Sequence, residues 1–155
     1  MTGNKNILLT GGTGAVGQEV LKQLKASNRL DGVSVLVRDS KNTRKALKPF
    51  ADKIKVFFGD ITNSESVKKA VQNQDVVIHL AALIPTVEDS NDELVQRVNV
   101  GGTENIVRNM ETECPNAFLL FSSSIAIYGD RIKDPDIRKT DPPKGLDHDN
   151  YSRTK

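Results

Sequence analysis

The chain has 155 residues, enough for one domain with a buried core. Its 37% hydrophobic and 27% charged residues and net charge of +2 are those of an ordinary globular protein, which argues against a nucleic-acid or membrane-surface binder. One cysteine, Cys114, excludes an internal disulfide, and no apolar run reaches the ~20 residues that span a bilayer. The N-terminal MTGNKNILLT lacks the long apolar stretch of a signal peptide, so a cytoplasmic location is expected.

The first element is a strand, NILLT (6–10), and it runs into Gly11-Gly12-Thr13-Gly14-Ala15-Val16-Gly17. A helical pattern follows over Gly14–Ser27, with Val16, Val20, Leu21 and Leu24 on one stripe. VSVLV (33–37) is the second strand and ends in Arg38-Asp39. IKVFF (54–58) is the third, followed by Gly59-Asp60-Ile61-Thr62 and a capped helical pattern over Ser64–Gln72. DVVIHL (75–80) is the fourth strand, and a long helical pattern covers Glu93–Met110. AFLLFS (117–122) is the fifth strand. From Gly129 to Asn150 prolines and charges replace periodicity, the mark of a long polar loop, and Tyr151–Lys155 opens a helix.

Consecutive apolar residues within each strand predict strands buried on both faces, as in a parallel sheet. Strands alternating with helices predict an open, doubly wound parallel α/β sheet of the Rossmann-like type. The glycine turn supports this. Gly12, Gly14 and Gly17 fit G-x-G-x-x-G, and Gly11, Gly14 and Gly17 fit G-x-x-G-x-x-G. A strand before and a helix after give the context in which backbone N–H groups cradle a pyrophosphate. About 20 residues on, an NAD-binding fold places an acidic residue on the ribose 2′-hydroxyl. Here Arg38 occupies that point, with Arg44 and Lys45 nearby, and a guanidinium suits a 2′-phosphate. NADP is therefore favoured, with NAD as the alternative in which Asp39 holds the hydroxyls.

These residues resemble the extended short-chain dehydrogenases/reductases, the NAD-dependent epimerase/dehydratase-like kind. The resemblance rests on Thr10–Gly17, Gly59-Asp60-Ile61-Thr62, His79-Leu80-Ala81-Ala82, Val98-Asn99-Val100-Gly101-Gly102-Thr103, Phe121–Ser124 with Ile127-Tyr128-Gly129, and Tyr151-Ser152-Arg153-Thr154-Lys155. It covers the whole chain in the family's order. It implies a cofactor site of Gly11, Thr13, Gly14, Ala15, Val16 and Gly17 in the turn, Arg38 after strand two, and Asp60 and Ile61 after strand three. Leu80, Ala81 and Ala82, with Asn99, Tyr151 and Lys155, complete it.

The resemblance also implies that Tyr151 is the acid/base for an alcohol–carbonyl pair. Lys155 would favour its phenolate and hold the ribose, Ser124 (or Ser123) would bind the substrate oxygen, and Asn99 would support a water relay. Tyr151 and Lys155 are four apart, so on a helix they share a face. His79 is expected to be structural and His148 solvated, and no residues have metal-ligand spacing.

The implied parent enzyme is an epimerase, dehydratase or reductase with a small-molecule substrate, nucleotide sugars among the candidates, and a homodimer is compatible. The alternatives are a non-catalytic dinucleotide sensor and an inactive fragment. Family members continue past the final motif with further strands and a substrate domain. Residues 1–155 are thus expected to form one dinucleotide-binding domain incomplete at its C-terminus, with little turnover by itself. Substrate identity is expected to reside in that missing part and in the loop Leu83–Asn91.

Overall fold

A computed structural model describes residues 5–85, 91–146 and 149–155. The chain divides into two compact units, Met1–Ala81 with Gly102–Ser122, and Ala82–Gly101 with Ser123–Lys155.

The first unit is built on a five-stranded sheet: β1 (Ile7–Thr10), β2 (Val33–Val37), β3 (Lys55–Phe58), β4 (Val76–His79) and β5 (Phe118–Phe121). Their order is β3-β2-β1-β4-β5, and every pairing is parallel. This is the predicted Rossmann-like sheet. The order reverses at β1, which lies between β2 and β4. That reversal opens a crevice at the carboxyl ends of the strands, the general ligand position of such sheets.

The central strands read as buried because they are: every residue of β1 and β2 is buried. The expectation of two-sided burial fails at the two edges. Phe58 of β3 is 46% exposed, and Phe118 of β5 is 64% exposed. An edge strand has a neighbour on one side only, so apolar composition alone does not bury it.

Helices α1 (Ala15–Ala26), α2 (Lys41–Leu47), α3 (Ser64–Val71) and α5 (Gly102–Glu113) complete this unit. Ile7, Leu9, Val33 and Val35 pack with Leu21 of α1 in one core cluster. By strand alternation Leu8 points to the opposite face. It is fully buried, as are Val67 of α3 and Ile106 of α5, and α3 packs on α5. α2 was not singled out in the sequence pattern. Its start is signalled by Ser40, whose Oγ accepts from Thr43 N.

Leu9→Ala is expected to destabilise the protein by about 2–5 kcal/mol, because Leu9 is fully enclosed. Ile132→Ala, at a residue 87% exposed, should stay within about 0.5 kcal/mol. Urea unfolding followed by circular dichroism checks the pair.

The second unit contains α4 (Asp92–Gln96), a π-helical turn (Arg97–Gly101), a 3-10 turn (Ile125–Tyr128) and α6 (Asn150–Arg153). The helix predicted over Glu93–Met110 is therefore realised as α4, the π turn and α5. A π turn inserts one residue into the helical ladder, which a 3.6-residue period does not reveal. Within this unit α6 packs against α4 and the 3-10 turn. Among the described residues, no helix is long and apolar enough to cross a membrane.

Candidate functional site

In the first unit the glycine turn lies at the carboxyl end of β1, at the topological reversal. Gly11 has φ +71°, and a Cβ there would lie 2.7 Å from Ala81 N. Only glycine fits that approach of the turn to the backbone after β4. A Cβ at Gly17 would fall on the Gly11 carbonyl oxygen and lie 2.7 Å from the Gly12 Cα. Gly11 O accepts from Gly14 N at 3.0 Å, and Gln18 Nε2 donates to Gly12 O at 2.8 Å. These bonds hold the turn.

Thr13, Gly14, Ala15 and Val16 are exposed. Gly14 caps α1 without a side-chain hydrogen bond, and the first turn holds no acidic residue. In contrast Ser40, Asn63, Asn91 and Asp149 each cap their own helices through a side chain. The N-terminus of α1 thus keeps outward N–H groups and the positive end of its dipole for an anion. The exposed turn and this positive helix end suit a pyrophosphate in charge.

Arg38 and Asp39 follow β2 at the same end of the sheet. Arg38 is exposed and makes no ion pair among the described residues. Asp39 is paired: Arg44 Nε donates to its Oδ1 and an Arg44 terminal nitrogen to its Oδ2, both at 2.7 Å. Asp60 follows β3 and is half-buried; its Oδ1 accepts from Thr62 N at 2.8 Å and Thr62 Oγ1 at 2.9 Å, which orients the carboxylate. Ile61 is buried, and its side chain fills the space that a Cβ at Gly102 would need. Leu80 and Ala81 are half-buried beside the turn.

His79 is buried at the end of β4, with Nδ1 2.6 Å from Thr10 Oγ1 and Nε2 3.0 Å from Thr103 Oγ1. Thr10 Oγ1 also accepts from Ala81 N at 3.2 Å. This relay joins the ends of β1 and β4 to α5, a structural task. The motifs that contain Thr10 and Thr103 gave no sign of their contact with His79.

The second unit holds Ala82, Asn99, Ser124, Tyr151 and Lys155. Ala82 is half-buried, and Asn99 is buried within the π turn. Asn99 Oδ1 accepts from Leu83 N at 2.7 Å, and Nδ2 donates to Leu83 O at 3.0 Å and Thr154 Oγ1 at 3.1 Å. Thr154 Oγ1 in turn donates to Asn150 O at 2.8 Å. Asn99 therefore ties the segment after β4 to the Tyr151–Lys155 segment, a link that its place in the sequence did not reveal.

Tyr151 is half-buried in α6, whose first turn is capped by Asp149 Oδ1 accepting from Tyr151 N. α6 spans Asn150–Arg153, and Lys155 follows two residues later. Burial pushes the Lys155 ammonium below the usual lysine pKa, and the Lys155 carbonyl accepts from Ser123 Oγ at 3.2 Å. Ser124 Oγ accepts from Ala126 N at 3.2 Å and keeps its own hydrogen for donation. Of the loop Leu83–Asn91, residues 86–90 lie outside the described residues, as does His148.

A model of the NAD dependent epimerase/dehydratase family matches residues 7–155. The UDP-glucose 4-epimerase of Rickettsia prowazekii is 32% identical over 133 residues, 81% of this chain and 38% of that protein. The 3 beta-hydroxysteroid dehydrogenase type 7 of Mus musculus is 28% identical over 127 residues, 81% of this chain and 34% of that protein. The chain thus spans a little over a third of the length of these relatives. Among solved structures, the Thermus thermophilus UDP-glucose 4-epimerase complex with NAD superposes with a TM-score of 0.79 at 26% identity, covering 96% of this chain and 46% of that one.

Proposed function

Because the chain belongs to the NAD dependent epimerase/dehydratase family, we propose that it forms the dinucleotide-binding part of an enzyme acting at a hydroxyl- or carbonyl-bearing carbon. The observation that carries this reading is the uncapped, exposed N-terminus of α1 behind the glycine turn at the β1 reversal. The turn and α1 hold the pyrophosphate, Asp60 faces the adenosine end, and Leu80 and Ala81 line the path between them. When bound, the nicotinamide accepts or returns a hydride at the substrate carbon.

The remaining work belongs to the side chains of the second unit. Tyr151 takes the proton of the substrate hydroxyl, or returns one to the carbonyl oxygen. The Lys155 ammonium favours the phenolate during that transfer. Ser124 donates its hydroxyl hydrogen to the substrate oxygen, and Asn99 holds the segment that carries Tyr151. The substrate class proposed is a nucleotide sugar, on the strength of the 4-epimerase relatives.

NADP is proposed as the tighter ligand, because Arg38 is the exposed cation where an acidic side chain would otherwise read the ribose. Calorimetric titration tests both parts. The protein should bind both dinucleotides, with NADP tighter, and Arg38→Ala should lower the NADP:NAD affinity ratio about ten-fold. An unchanged ratio would mean that Arg38 does not read the phosphate.

A further inference from the structure

We infer that Arg44 is a specificity-determining residue for the dinucleotide, acting by engaging Asp39 so that the adenosine ribose meets a cation at its 2′-position and not an anion. The inference rests on the proposed binding of a dinucleotide at the glycine turn.

The placement follows from the sheet. β1 and β2 are parallel neighbours with Thr10 opposite Leu36, so Arg38 and Asp39 emerge beside the turn that follows Thr10. An acidic side chain at this point ordinarily accepts the two ribose hydroxyls and repels a 2′-phosphate. Here each Asp39 oxygen already accepts a hydrogen bond from Arg44. The Arg44 fork meets them through two bonds of 2.7 Å, a fit that a lysine does not reproduce.

Arg44 is also fixed from two other sides. It sits on α2, whose first turn is capped by Ser40, and its guanidinium lies 4.5 Å from the centroid of the Phe58 ring on β3. The pair holds both partners charged: the hydrogen bond from Arg44 lowers the Asp39 pKa, and the bond to Asp39 raises that of Arg44. The two charges cancel locally. Arg38, with no ion pair among the described residues, remains the uncommitted cation at the end of β2.

Removing the guanidinium frees a carboxylate beside the 2′-position. That carboxylate accepts ribose hydroxyls from NAD and repels the phosphate of NADP, so the preference shifts toward NAD. The effect must then disappear when Asp39 carries no charge. A residue that bound the phosphate directly would behave otherwise, losing NADP affinity whatever stood at position 39.

The test is a double-mutant cycle on the full chain, read by calorimetric titration of NADP and NAD. Arg44→Gln is expected to lower the NADP:NAD affinity ratio about ten-fold. Asp39→Asn should leave the ratio unchanged or raise it, and the double variant should match Asp39→Asn alone. Equal loss on adding Arg44→Gln in both backgrounds would show direct phosphate binding by Arg44 and overturn the inference. An unmoved ratio in Arg44→Gln overturns it too. Binding of neither dinucleotide by the unaltered protein overturns this inference and the parent reading together, whereas binding with an uncoupled ratio overturns this one alone. Both side chains are largely exposed, so the variants keep the fold.

Discussion

Gly14→Val is expected to abolish dinucleotide binding while the fold survives, and Gly17→Ala is expected to damage both. The two positions are three residues apart in one turn, yet their surroundings differ. Gly14 has φ −75° and ψ 169°, extended backbone that valine adopts readily. The nearest atom to a Cβ there is Gly11 O at 3.4 Å, an ordinary contact. The protein itself thus leaves room for the side chain, at a cost of about 1 kcal/mol for a poorer helix cap. The isopropyl group would stand where the phosphate must reach the N–H groups of α1. Losing those charge-assisted bonds should weaken binding by about 100-fold or more.

Gly17 is buried, and its Cβ would fall on the backbone of Gly11 and Gly12. Neither can retreat, because Gly11 is itself pressed against Ala81. Calorimetry beside thermal melting separates the two outcomes. Unchanged affinity in Gly14→Val would place the dinucleotide elsewhere.

On the proposed reading, Tyr151→Phe should lower kcat of the parent enzyme by about 10²- to 10⁴-fold, the usual worth of a positioned proton donor or acceptor. The substitution removes one oxygen and keeps the ring. The backbone bonds of α6 are unaffected, since Tyr151 is held through its N–H to Asp149 and its carbonyl to Thr154. Dinucleotide affinity should therefore change little, and the loss should fall on kcat rather than on KM. Retention of kcat would assign the proton to another group. Ser124→Ala is the companion measurement, because a hydroxyl that only caps the 3-10 turn would alter stability and leave kcat unchanged.

Much of this architecture is local in origin and could be read in order. Runs of β-branched and aromatic residues make strands wherever they stand, and the glycine spacing forces a turn whose conformation few other residues adopt. The turn and its helix are adjacent in the chain. Edge and centre are different matters. NILLT and AFLLFS have the same character, yet β1 is buried throughout and Phe118 of β5 is largely exposed. Strand order decides that, and no strand carries its neighbours in its own composition.

The chemical state of individual residues was decided in the same way. Thr10 and His79 are 69 positions apart, and Asn99 and Thr154 are 55 apart, so their bonds exist only once the sheet and helices have docked. Asp39 and Arg44 are only five apart, but their pairing also needed α2 to begin at Ser40 and Phe58 to arrive from β3. By itself the sequence determined the five strands, their order along the chain and the glycine cradle, because those follow from short-range sterics and periodicity. The tertiary structure alone decided which strands lie at the edge, which partners His79 meets and how Asp39 is paired. Each of these depends on groups brought together by long-range packing.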